Sequence, residues 1–306
     1  MLRRAAVFLL GLLGTAVFVL VVAFAWAAFF KAQRADYGWT PRVTSATFHA
    51  KHPTLVFDEA HGNATIGAYY GRGWPFAQLL RADGFRVVPG RKPLTDLQGV
   101  DVLVIENASG APRLQVFGIN LNDPQGDRNA PAFRADEIAA VRAWVEAGGA
   151  LLLVADHAPY GAASAPLARA FGVTMGEGFV EVPHEVSDPL LFARANGRIG
   201  EHPITAGVAR VQPFTGQSLA GPEDATILLA LPPDAVESFP DSNVTRPAGP
   251  AQALALEYGE GRVVVLGEAA MITAQVHERK RFGMNLDTND NRRFALNIVH
   301  WLTRRI

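Results

Sequence analysis

From residue 54 onward, short aliphatic runs alternate with stretches whose apolar residues recur at helical spacing. That alternation predicts an α/β fold, a mostly parallel sheet covered by helices on both faces. The first unit reads TLVF (54–57), WPFAQLLRADGF, then RVVPG. Trp74-Pro75 fits a helix start and Gly84 its stop. DVLVIE (101–106) is the next strand, followed by an amphipathic segment with Ile138, Val141, Trp144 and Val145 on one face that ends at Gly148-Gly149. ALLLVADH (150–157) is almost wholly apolar, as a strand buried on both faces must be. ATILLAL, QALALEY and GRVVVLGE (261–268) read as later strands, and NRRFALNIVHWLTRR closes the chain as a helix.

The N-terminus breaks this rhythm. Residues 5–30 carry no charge, and as a helix they would span about 39 Å, more than a ~30 Å hydrocarbon core. Residues 1–30 are therefore expected to be a single transmembrane anchor in contact with the lipid bilayer rather than a cleaved signal peptide, whose apolar region is shorter. Arg3 and Arg4 before the segment favour a cytoplasmic N-terminus, which puts the remainder on the extracytoplasmic, periplasmic side. Residues 31–53 lack periodicity and read as a stalk, and 54–306 as one α/β domain.

In an open parallel sheet, ligands bind beyond the carboxyl ends of the strands. Four predicted strands exit there into polar groups: the first into Asp58, Glu59, His61 and Asn63, another into Glu106 and Asn107, the central one into Asp156 and His157, and a late one into Glu268. Asp and Asn at such positions also cap helices and shape turns, so each taken singly has a purely structural reading. Two long polar insertions, 109–131 and 269–290, leave the same rim and are expected to act as lids or binding loops.

Composition removes several chemistries. With 28 Lys+Arg against 29 Asp+Glu there is no basic excess of the kind a nucleic-acid partner demands. With no cysteine there is no disulfide, thiolate metal site or cysteine nucleophile. The P-loop and H-E-x-x-H patterns are absent; GQSLA (216–220) lacks the last glycine of a nucleophile elbow. GRGWPF (71–76) is a fragment of a glycine-rich fingerprint, read as a turn before a helix. DTNDN (287–291) fails as a calcium loop because Arg292 stands where glycine is required.

FDEAHGN, VEAGGALLLVADH, EHPITAGV (201–208), GEGRVVVLGEAA and NDNRRFALNIVHWL together resemble a bacterial membrane-anchored family with a class I glutamine amidotransferase-like domain. Related domains occur in gliding-motility and transport-associated membrane proteins and in intraflagellar-transport proteins. The resemblance covers about 54–303 and implies a flavodoxin-like three-layer sandwich with a retained crevice. Where an amidotransferase carries its cysteine, this chain has Asp156-His157, and an imidazole does not replace the thiolate that forms a glutamyl thioester.

Two functions follow as expectations. One is a tethered ligand-binding or assembly module whose crevice takes a glycan, a peptide or a protein partner and needs no cofactor. The other is a metal-dependent hydrolase in which Asp58, His61, Asp156 and His157 hold a divalent ion and Glu268 or Glu106 is the general base.

Overall fold

The computed structural model describes residues 2–31, 33–63, 65–66, 71–111, 113–116, 119–122, 126–183, 190–239 and 242–306. Helix α1 (Leu2–Lys31) is followed by β1 (Arg34–Ala35), β2 (Thr54–Asp58), α2 (Trp74–Ala82), β3 (Arg86–Gly90) and β4 (Val102–Glu106). Then come β5 (Arg113–Val116), β6 (Ile119–Asn122), α3 (Ala135–Glu146), β7 (Ala150–Val154), α4 (Tyr160–Arg169), β8 (Thr174–Met175), β9 (Phe179–Glu181) and β10 (Phe192–Ala193). The rest comprises β11 (Arg210–Val211), β12 (Leu219–Ala220), β13 (Thr226–Ala230), β14 (Val236–Phe239), β15 (Val244–Pro247), β16 (Ala251–Tyr258), β17 (Gly261–Leu266), β18 (Ala274–His277), β19 (Lys280–Gly283) and α5 (Asn291–Leu302).

The main sheet runs β3-β2-β4-β7-β17-β16-β12-β8, with β13 also paired to β16. Its first five strands are mutually parallel, and β16 turns antiparallel against β17. Counted along the chain, the parallel strands stand in the order 2-1-3-4-5, the flavodoxin-like arrangement. The pleat sorts side chains between two cores. Leu55, Phe57, Val102, Val104, Leu152, Val154, Val264 and Leu266 pack with Phe76 and Leu80 of α2 and Phe294 and Ile298 of α5. Their alternates Leu103, Ile105, Leu151, Leu153, Val263 and Val265 pack with Val141 and Val145 of α3 and Leu167 of α4. The result is three layers, helix-sheet-helix, as the strand and helix patterns predict.

The segment expected to be a stalk is part of the domain. Arg34 and Ala35 pair antiparallel with Val276 and Gln275, and Ala35 and Asp36 are buried. Trp39, Val43 and Phe48 pack on the core, and the Thr47 hydroxyl and amide both donate to Asp83 Oδ1. Gly84, at φ +94°, leaves room for this segment; a Cβ there would lie 2.1 Å from the Phe48 carbonyl oxygen. The segment is invisible to periodicity because it contributes isolated apolar residues rather than a repeating face.

The second insertion is likewise no lid. It forms the 3-10 turn Ala269–Met271 and the β18–β19 hairpin, zipped onto β1. The first contributes the β5–β6 hairpin. Helix α1 covers the charge-free N-terminal run, with side chains described at Gly11 and 13–26. Among the described residues no helix is long and apolar enough to cross a membrane.

Candidate functional site at the carboxyl ends of the parallel strands

The chain reverses its direction of travel between β2 and β4: β3 lies outside β2 on one side, and the next strand returns to its other side. This is the topological switch point, where loops part and leave a crevice. Asn63 spans it, its Nδ2 donating to Asp58 Oδ2 at 3.0 Å and to the Glu106 carbonyl at 3.2 Å. The Glu106 side chain, at the last position of β4, is 2% exposed. Its Oε2 has no hydrogen-bond partner among the described residues, and neither has the buried Thr65 hydroxyl. Both face Gly73 at the start of α2, where an added Cβ would lie 2.5 Å from Glu106 Oε2 and 3.1 Å from Thr65 Cβ. Burial first, and then the charge of Asp156, push the Glu106 carboxyl up to about 8 against a smaller opposing effect of Arg72. At neutral pH it is a neutral acid, able to donate as well as accept.

Two further carboxyls line the neighbouring strand ends. Asn107, in the left-handed region at φ 53°, donates from Nδ2 to Asp156 Oδ2 at 2.8 Å and accepts the Asp156 amide at Oδ1, also 2.8 Å. Asp156 Oδ1 accepts the Ala269 amide at 2.6 Å, joining the β7 and β17 exits. Glu268 accepts the Ala270 and Thr215 amides at 2.9 and 3.0 Å. Burial, and next the Asp156 charge, push the Glu268 carboxyl up to about 8. Underneath, Gln217 Nε2 donates to the Ala155 and Asp156 carbonyls at 2.8 and 3.1 Å.

His61 is differently employed. Nδ1 lies 2.9 Å from Asp58 Oδ1, and Nε2 3.0 Å from Glu137 Oε1. Burial opposes its charging, but the hydrogen bond and charge of Asp58, together with Glu137, outweigh it and raise the imidazole above its ordinary 6.5. Glu137 is also a collecting point, accepting the Leu94 and Arg134 amides at 3.0 Å each. Burial tends to raise its pKa, yet these donors and His61 leave it lowered. With both ring nitrogens between carboxylates, His61 is an imidazolium bridge from the β2 exit to α3.

The sequence-predicted candidates thus separate into groups. Asp58, His61 and Asn63 come together, and Glu106, Asn107, Asp156 and Glu268 come together on adjacent strand ends. Glu59 turns aside, its carboxylate accepting the Ile66 amide at 2.9 Å and pairing with Arg91 at 3.3 Å. His157 stacks on Phe179 with centroids 3.9 Å apart, its Nδ1 2.9 Å from the Ala158 carbonyl. The expected metal set of Asp58, His61, Asp156 and His157 is therefore not gathered: β4 intervenes between β2 and β7, a spacing of about 10 Å, and the two histidines face different partners. Among the described residues no group of three or more His, Asp or Glu is arranged to hold a metal ion. Beside His157 a cavity of about 200 Å³ is lined by Asn129, Ala158, Glu177, Phe179, Ser238 and Phe239, among others. None of 155–158 has a positive φ, so the β7 exit is not built as a nucleophile elbow.

Thr65, Glu137 and Gln217 escape a reading of the sequence. Glu137 carried a signal, an acid three residues into a predicted helix; Thr65 and Gln217 carried none, since nothing local marks a residue whose partner lies across the sheet.

No family model matches the chain, and no curated protein matches it in sequence. Among solved structures, the mmIFT52 N-terminal domain is similar at 15% identity with a TM-score of 0.54, covering 81% of this chain and 97% of that one. A putative ThuA-like protein from Parabacteroides merdae is 13% identical with a TM-score of 0.46, covering 83% of this chain and 90% of that one. A putative GMP synthase protein from Thermoplasma acidophilum is 12% identical with a TM-score of 0.44, covering 84% and 97%. At these identities the likeness is one of fold: α/β, with a largely parallel central sheet of flavodoxin-like order.

Proposed function

We propose that this chain is a membrane-tethered recognition module that holds a neutral, hydroxyl-rich ligand, a glycan, at the switch point between β2 and β4. The observation that carries this reading is Glu106 Oε2, unclaimed among the described residues and buried beside the equally unclaimed Thr65 hydroxyl. A buried polar atom left without a partner costs about 1–3 kcal/mol, which a ligand supplying the missing hydrogen bond would recover. A neutral carboxyl and a hydroxyl each donate and accept, as sugar hydroxyls do. An anionic ligand would instead meet the charge of Asp156, which already acts on Glu106. The cavity beyond the β7 exit, with Phe179 and Phe239 beside Ser238 and Asn129, offers an apolar face with a polar edge of the kind a sugar ring fits.

Helix α1 is the tether in this reading, supported by the charge-free run 5–30, with the domain on the extracytoplasmic side. Glutamine hydrolysis has no support, because the chain has no cysteine. The test is the melting temperature of the full chain against panels of neutral oligosaccharides, acidic oligosaccharides and short peptides, repeated with Glu106→Ala and Glu106→Gln. A neutral oligosaccharide at about 100 times its Kd is expected to stabilise the wild type by about 2.7 kcal/mol, and Glu106→Ala to lose that response. A response confined to peptides, or an oligosaccharide response untouched by Glu106→Ala, would overturn the reading.

A further inference from the structure

The β18–β19 hairpin carries a cluster of charge whose position is set by its register. Arg34 pairs with Val276 and Ala35 with Gln275 in antiparallel sense, so stepping back along the chain from Arg34 toward α1 runs forward along β18 toward the hairpin tip. Lys31, the last residue of α1, is three residues before Arg34 and therefore within about 11 Å of it. The tip therefore lies on the side of β1 from which the chain arrives from α1.

The tip reads Glu278-Arg279-Lys280-Arg281, all exposed. His277 pairs with Lys280, leaving a two-residue loop of Glu278 and Arg279 with φ 47° and 67°. Both central residues of this turn type need positive φ, which Asn-Gly supplies with least strain. The chain instead puts a carboxylate and a guanidinium there. Arg281 is partly engaged, its Nε 3.4 Å from Asp36 Oδ2. Arg279 and Lys280 make no ion pair among the described residues.

We infer that this hairpin is a basic foot that rests on the bilayer surface and contacts anionic phospholipid headgroups beside the point where α1 enters the membrane. It rests on the reading of α1 as the tether. Continuity favours this partner: β1 fixes the foot to the first residues beyond the helix, and Gln33 Nε2 donates to Gln275 Oε1 at 2.8 Å, prolonging the junction. Asn285 Nδ2, 2.9 Å from Asp36 Oδ2, ties the hairpin base to the same segment. Each basic residue near an anionic surface is worth about fivefold in occupancy. Because the hairpin follows the carboxyl end of β17, the foot would also set the Glu106 rim near the membrane rather than away from it.

The chain has no cysteine, so Glu278→Cys places one environment-sensitive fluorophore on the tip of the otherwise intact protein. Glu260→Cys, in the turn at the opposite end of β17, is the control. Both are read in nanodiscs of phosphatidylcholine alone and of phosphatidylcholine with phosphatidylglycerol. The tip label is expected to report headgroup contact only with phosphatidylglycerol and the control in neither. Contact should fall about 25-fold in Arg279→Gln/Lys280→Gln, two charges at about fivefold each, and also in about 1 M salt, where the screening length is about 3 Å. A tip label that reports water in both lipids, in a chain that has entered the discs, overturns the foot while leaving the tether. A chain that does not enter the discs overturns the tether, and the foot with it.

Discussion

Asn107 and Asp156 exchange two hydrogen bonds across the gap between β4 and β7, Nδ2 to Oδ2 and backbone amide to Oδ1, each 2.8 Å long. The exchange requires Asn107 to hold φ 53°, where a non-glycine residue is uncommon and asparagine is favoured. Asn107→Ala loses both bonds and keeps the strained backbone, so we expect a loss of about 2–3 kcal/mol by urea unfolding. Asn107→Gly loses the bonds but relieves the backbone, and should be milder by about 1 kcal/mol. Equal losses in the two variants would show that the backbone strain contributes nothing.

His61 gives the domain a pH signature. Its folded pKa is raised, so its contribution is complete below the unfolded value of 6.5 and is lost as pH rises through the higher folded value. Glu137 is lowered, so its share is present above 4.5 and is lost as pH falls. The bridge is therefore strongest between these limits. His61→Gln is expected to cost about 3 kcal/mol near pH 6, because it strands two buried carboxylates, and clearly less near pH 9. A cost independent of pH would contradict the imidazolium bridge.

Gly73→Ala tests the same place by adding one methyl group and leaving every polar side chain in the sequence. Its Cβ would lie 2.5 Å from Glu106 Oε2 and 3.1 Å from Thr65 Cβ, so it displaces the carboxyl proposed to meet the ligand. We expect any oligosaccharide-induced rise in melting temperature to disappear, with a stability cost of about 1–3 kcal/mol from overpacking. An unchanged ligand response would place binding elsewhere.

Zinc or manganese added to the purified protein is expected to leave its melting temperature unmoved. His61 has both nitrogens engaged, and His157 lies on Phe179. A metal-dependent rise that vanishes in His61→Ala would revive the hydrolase reading.

The legible and illegible parts of this protein divide along a physical line. The strands Ala150–Val154 and Val102–Glu106 announce themselves because burial on both faces demands continuous apolar residues. Their direction follows from the intervening amphipathic helix α3, so the meeting of Glu106 and Asp156 at one rim could be read in advance. What each polar group does there could not. Asp58 and His61 look like metal ligands in sequence, and only the docking of α3 brings Glu137 onto the other side of the imidazole. The 31–53 segment looks like a linker because its anchors, Ala35, Trp39 and Phe48, are spaced by tertiary contacts and not by a repeat.

Glycan recognition at the switch point depends on Glu106 being a neutral acid whose Oε2 has no hydrogen-bond partner among the described residues. The most direct test is a carbon-13 NMR pH titration of the glutamate side-chain carboxyls, with Glu106 assigned by its disappearance in Glu106→Gln. We predict a Glu106 resonance that stays at the protonated position through pH 7 and moves near pH 8. A resonance that titrates near 4.5, like a solvated glutamate, would contradict it.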